Sequence, residues 1–271
     1  MLKNIKKQML LITAALSVFG LAGCANKVVP QSSETTVVSE TKDGNQSKSL
    51  EKAIDAVAFS YVKSQLANDN PKATPGAQVV VLKDGKMVFQ KSYGVIQAFD
   101  FSKNPAEKIE KPSPVTNETL FDLASVTKIS ATTQVFMHLV YEGKVKLEDK
   151  VTQYLPDFGK NGKEDVTIGQ LLSHTSGLPQ WKAIYLYSNN RQDTLKYIED
   201  QKLEFKPGEY KYSDLGFMTL AFVAEKITGE AFDKYVAKTI YEPLGLKNTM
   251  FNPLKNGVDK SQIAVTSYGN P

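Results

Sequence analysis

Apolar residues along this chain recur at two different periods, and the change of period divides it. Leu50, Ile54, Val57, Tyr61, Val62 and Leu66 follow helical spacing, which predicts an amphipathic helix over 49–68 that ends at Asn68-Asp69-Asn70-Pro71. Residues 77–82 and 87–93 are rich in strand formers and flank Asp84-Gly85, the pattern of a β-hairpin. Residues 95–118 lack a period and read as a long surface loop. Helical spacing then resumes. A helix opening at Ser125 is expected to carry Ile129, Phe136 and Val140 on one face and to stop near Gly143. After a connector over 145–155, Thr167 is placed to cap a short helix at 168–173. Further helices are expected at 193–200, at 215–228 ending on Gly229, and at 232–240. One hairpin and one flanking helix thus precede a mostly helical stretch, with no internal repeat.

The first residues have a different character. Lys3, Lys6 and Lys7 precede an apolar run from Met9 to Gly20, too short for a good membrane-spanning helix and typical of an export signal. Leu21-Ala22-Gly23-Cys24 resembles the lipobox of bacterial lipoproteins, which implies that residues 1–23 are removed and Cys24 is lipidated. That Cys24 is the one cysteine of the sequence agrees with this. Residues 24–47 are polar, without an aromatic residue, and are expected to form a flexible tether with a reach of roughly 25–30 Å. The protein is therefore expected on the extracytoplasmic face of the cell membrane, held by a lipid anchor. Residues 48–271 form the body.

Charge excludes some functions. The 271 residues carry 33 lysines and arginines against 29 acidic residues, and three of those lysines belong to the signal. The near-neutral body has no basic patch interleaved with aromatics, so no nucleic-acid partner is expected. One cysteine and two histidines offer no zinc pairing.

Candidate chemistry centres on Ser-x-x-Lys. The pattern occurs at Ser39, Ser49, Ser60 and Ser125. Ser39 lies in a polar stretch, Ser49 is placed to cap a helix, and Ser60 falls in mid-helix. Only Ser125 stands where a helix opens. Lys128 is then one turn away on the same face and can accept the proton that a weak serine nucleophile must lose. Free backbone N–H groups and the helix dipole at that point can stabilise an oxyanion. Dipole and burial are expected to lower the Lys128 pKa. The two histidines suggest a Ser-His-Asp triad, but no Gly-x-Ser-x-Gly elbow is present. His138 lies far along the Ser125 helix, and His174 ends a short helix, where structural roles suit both. Trp181 is equally suited to lining a cleft and to covering core.

Phe121-Asp122-Leu123-Ala124-Ser125-Val126-Thr127-Lys128, Leu171-Leu172-Ser173-His174-Thr175-Ser176-Gly177-Leu178, Phe205-Lys206-Pro207-Gly208-Glu209-Tyr210-Lys211-Tyr212-Ser213-Asp214 and Glu242-Pro243-Leu244-Gly245-Leu246 occur here in one order. In that order and spacing the chain resembles the serine β-lactamase-related hydrolases: class C β-lactamases, penicillin-binding relatives and related esterases. The resemblance implies an α+β fold of the β-lactamase/transpeptidase type, with an antiparallel sheet flanked by helices and a mostly helical part. Here 48–122 is expected to supply the sheet and helix part, 123–250 the helical part and 251–271 a shortened return. The resemblance further implies Ser125 as the acylated nucleophile, Lys128 as base or proton relay, and Tyr212 as the tyrosine of a Tyr-x-Asn element, with no metal and no organic cofactor.

Two departures accompany it. Tyr187-Ser188-Asn189 spells Tyr-x-Asn literally, whereas Tyr212-Ser213-Asp214 carries an acid. Tyr212 is preferred because a Pro-Gly turn precedes it and an apolar helix follows, as in the family. Asp214 near Lys128 would favour the charged amine and pass more of the base role to Tyr212. The family's C-terminal Lys-Thr-Gly-like element has no counterpart after Tyr212. Lys255-Asn256-Gly257 lies in a polar turn and Ile227-Thr228-Gly229 ends a helix. The C-terminal strands are thus expected to be absent from this chain, and little or no turnover is expected of it alone. The function expected of the parent is cell-surface acyl transfer on β-lactam, D-alanyl peptide or small ester substrates. The alternative is a non-hydrolytic penicillin-binding or sensing lipoprotein.

Overall fold

A computed structural model describes residues 44–67 and 74–266. The signal segment, Cys24 and nearly all of the tether lie outside these, as does the Asn68–Pro71 helix stop. The described chain forms two compact units. One comprises the residues up to Asp122 together with those from Gly257 on, and the other is Leu123–Asn256.

In the first unit, helix α1 (Gly44–Ala67) begins several residues before the expected start, so Ser49 lies inside it rather than capping it. Its apolar face also differs from the expected one: Val62 is buried, but Val57 is exposed. Strands β1 (Gly76–Lys83) and β2 (Lys86–Gly94) pair antiparallel. Asp84 and Gly85 both take positive φ, as a two-residue turn matched to strand twist requires. Asp55 of α1 ties helix to hairpin, accepting from the Lys91 ammonium at 2.8 Å and the Tyr93 hydroxyl at 2.7 Å. Burial and that carboxylate push the Tyr93 phenol far above its ordinary value. The expected 95–118 loop is more ordered than a loop. It contains the short antiparallel pair β3 (Phe99–Asp100) and β4 (Glu107–Lys108), with Val95, Ala98 and Phe99 buried together. The last described residues pair back here: Leu120 bridges Ile263 in parallel, and the Val265 N–H donates to the Ile96 carbonyl.

In the second unit, a turn of π-helix (Lys128–Thr132) runs directly into α2 (Thr133–Tyr141). Gly143 at φ +70° follows its end. The buried face is Ala131, Val135, Phe136 and Leu139, while Ile129 and Val140 are exposed. Of the expected face Phe136 is buried, whereas Ile129, which lies in the π turn, and Val140 point outward. Helix α3 (Ile168–Leu172) starts in a capping box of Thr167 and Gln170. Asn190 caps α4 (Arg191–Glu199), two residues ahead of the expected start. Helix α5 (Asp214–Thr228) is capped by Ser213 and closed by left-handed Gly229. Its Leu215, Leu220 and Val223 are fully buried. Helix α6 (Phe232–Val236) continues as a second π turn, Ala237–Tyr241.

Lys163 is a buried polar group that no periodicity announces. Its side chain is wholly inaccessible. The ammonium donates to the carbonyls of Lys160 and Glu199, both at 2.8 Å, and to that of Gln201. Two of these acceptors sit around the C-terminus of α4, where helix carbonyls lack partners and favour a cation. Burial lowers the Lys163 pKa. Replacement Lys163→Met removes the donor while leaving the carbonyls buried. It is expected to destabilise the protein by about 1–3 kcal/mol, read as a lower urea midpoint at unchanged m-value; an unchanged midpoint would refute the clamp.

Candidate active site

Ser125 occupies a tight turn before a helix. Ala124 takes φ +43°, a conformation that costs an L-residue energy and often marks a functional turn. The N–H groups of Val126, Thr127 and Lys128 donate to the carbonyls three residues earlier, at 2.9, 3.0 and 3.1 Å. These amides are therefore already engaged, contrary to the expectation of several free donors.

The Lys128 ammonium donates to Ser125 Oγ at 3.0 Å. It also lies 2.6 Å from Asp214 Oδ1. That oxygen is out of solvent, so the two charges meet with little screening by water. Lys128 Nζ sits 4.9 Å from the centre of the Tyr212 ring and 5.9 Å from that of Phe217, a cation over two aromatic faces. The structure thus brings together Ser125, Lys128, Tyr212 and Asp214. Burial pulls the Lys128 pKa down, but Asp214 and the Tyr212 side chain outweigh it, and the amine is held above its ordinary 10.5. The expected depression of this pKa is wrong: it counted dipole and burial without the acid. The ion pair stabilises the fold below that ordinary value and ceases to do so as pH rises through the raised one.

The backbone around Tyr212 is fixed from several sides. The Gly208 N–H donates to Thr175 O and the Lys211 N–H to His174 O, both at 2.8 Å. Asp214 N–H donates to Gln180 O, and Ser213 Oγ to Pro179 O. Gly177 has φ +81°, and a Cβ there would fall 2.4 Å from Phe205 O, so this close approach admits only glycine.

His174 belongs to this assembly. Its ring lies 4.4 Å from that of Tyr212 and 4.8 Å from that of Phe217. Sequence reasoning placed it at a helix end and missed the site; the only signal was its presence in the Leu171–Leu178 segment. His138 instead contacts Tyr235 and Glu142. Tyr187 stacks on Tyr197 at 5.3 Å, so the literal Tyr-x-Asn is occupied elsewhere. Trp181 is 56% exposed, which argues against core. Lys255 and Asn256 sit in the short turn Pro253–Asn256, and Thr228 ends α5.

The beta-lactamase family model matches residues 62–271, and the chain belongs to that family. A Salmonella agona protein named "Putative D-alanyl-D-alanine carboxypeptidase" is 40% identical over 211 residues, covering 72% of this chain and 48% of that protein. This chain therefore spans about half the length of the curated relatives it matches. The octameric penicillin-binding protein homologue from Pyrococcus abyssi is 27% identical with a TM-score of 0.61, over 77% of this chain and 47% of that one. The hydrolase EstCE1, with promiscuous acyltransferase activity, has a TM-score of 0.67 at 24% identity, over 81% and 56%. The fold is of the β-lactamase/transpeptidase type.

Removing the acid tests the electrostatics. Asp214→Asn is expected to lower the Lys128 pKa and move the pH–rate profile of Ser125 acylation to lower pH. A profile that stays in place would remove Asp214 from the account.

Proposed function

We propose that this chain carries the nucleophilic half of a cell-surface serine hydrolase acting by acyl transfer on D-alanyl peptides or related esters of the wall. The observation that carries this reading is the contact between Lys128 and Ser125 Oγ beneath Tyr212. Ser125 Oγ attacks the acyl carbon and forms an ester. The bond to the leaving nitrogen or oxygen breaks, and that atom takes up a proton. Water then cleaves the ester and regenerates Ser125. The name of the Salmonella relative favours D-alanyl substrates over β-lactams, which share the same acyl chemistry.

Asp214 sets the proton inventory. An ammonium cannot accept the serine proton, so Lys128 acts chiefly by orienting Ser125 Oγ and supplying positive charge. Tyr212, whose ring faces the ammonium, is the group that passes the proton from serine to leaving group. The second reading is a non-hydrolytic penicillin-binding or sensing protein. The paired, charged Lys128 favours it, since a site that acylates slowly and retains its ester would behave so. Lipidation at Cys24 would place either protein at the extracytoplasmic membrane face.

Incubation with a fluorescent penicillin and, separately, a fluorophosphonate is expected to add one probe mass, lost in Ser125→Ala. Multiple turnovers of a D-alanyl ester would exclude the sensing reading, while a Ser125 penicillin adduct without any such turnover would support it. No adduct with either probe would overturn both. Metabolic labelling with a fatty acid is expected to mark the protein, and Cys24→Ala to abolish the label; a labelled variant would refute the anchor.

A further inference from the structure

His174 grips the chain on both sides of Tyr212. Its carbonyl accepts from the Lys211 N–H at 2.8 Å, and its Nδ1 accepts from the Ser213 N–H at 3.0 Å. The residue between these two anchors is the tyrosine, whose ring lies against the imidazole. Ser213 is also the N-cap of α5, and the next residue is the Asp214 that pairs with Lys128. One residue therefore anchors the chain on both sides of Tyr212, by its carbonyl before the tyrosine and by its ring after it, next to the acid. His174 does this from φ +58°, a backbone conformation in which histidine and asparagine are among the few tolerated side chains.

The bond to Ser213 works in one protonation state. An acceptor Nδ1 places the ring proton of neutral histidine on Nε2. A second proton would have to sit on Nδ1, facing the Ser213 N–H, and two donors cannot share that gap. The charged groups facing the ring are Lys128 from the π turn and Asp214 from α5, and the other titratable neighbours are Tyr210 and Tyr212. Burial first and the Lys128 charge second push the His174 pKa below its ordinary 6.5, with Asp214 pulling the other way. A depressed value means that stability present above 6.5 is lost as pH falls through the folded value.

We propose that His174 is the positioning residue of the acyl-transfer site: its neutral ring holds Tyr212 and Asp214 against Lys128, and its protonation releases them and closes the site to acylation. The acylation arm rests on the hydrolase reading given above; the release of the backbone does not.

Two variants separate the parts. His174→Asn keeps an acceptor near the place of Nδ1, tolerates the left-handed backbone and does not titrate. His174→Phe keeps a ring but has no acceptor. Two readouts are followed between about pH 4 and 7, the range of histidine titration: the amide NMR shifts of Ser213, and the rate of Ser125 labelling by fluorescent penicillin. In the native protein the Ser213 amide is expected to titrate and labelling to fall about tenfold on acidification, the loss expected from one buried hydrogen bond. In His174→Asn the amide is expected to stay flat, with labelling at neutral pH retained and its acid limb gone. His174→Phe is expected to label about tenfold more slowly throughout. A Ser213 amide that is flat in the native protein, or titrates equally in His174→Asn, overturns the proposal. So does an acid limb unchanged in His174→Asn, which leaves the hydrolase reading standing. A native Ser213 amide that titrates while Ser125 accepts no probe at any pH overturns the hydrolase reading and keeps the backbone switch.

Discussion

The ion pair between Lys128 and Asp214 is the constraint on which the site of the second unit depends. Lys128 stands at the beginning of a helical run, where the dipole disfavours a cation. Asp214 is the first residue of α5, where the dipole favours an anion. Each charge is placed at the positive end of a helix, and only the acid gains from that. The carboxylate therefore compensates for the misplaced cation as well as neutralising it. The aromatic faces of Tyr212 and Phe217 complete the enclosure. Without the acid, burial and dipole would both act to strip the amine of its proton. With it, the lysine is a fixed positive charge beside the Ser125 hydroxyl.

Such a pair needs a stiff frame, because a shift of an ångström would separate the charges from the serine. The frame is made mostly of backbone. The Thr175, Gly177 and Gln180 carbonyls accept from residues spread between 204 and 214, so the strand-like approach to Tyr212 is held along its length. Core packing supports it from below through Leu171, Leu178 and Leu215, all fully buried. The side chains that act on the ligand side are thus positioned by hydrogen bonds whose cost of breaking is local, while the helices behind them are held by burial.

What the sequence reveals and what it hides follow from the range of the forces involved. The Asp84-Gly85 turn, the Thr167 cap and the Gly229 stop are decided within a few residues, and each lies where the local pattern places it. The order of Ser125, Lys128, Tyr212 and Asp214 was readable through resemblance, and the acid's effect on the amine followed from its charge. The π turn after Lys128 was hidden, because no residue preference marks it, and it moved Ile129 from the expected face to the surface. Val57 failed for a different reason on α1: helical period says which residues share a face, not which face the neighbours cover. His174 and Lys163 were hidden because both act on carbonyls or amides some 36–39 residues away, a distance over which composition carries no information.

The burial of Lys163 has a practical consequence of another kind. An ammonium with all of its donors committed and no accessible surface offers nothing to an amine-reactive reagent, and its peptide bond cannot enter a protease cleft without the surrounding chain letting go. Lysine acetylation at this position and the native fold are mutually exclusive. Tryptic cutting after Lys163 therefore dates the moment when the second unit opens.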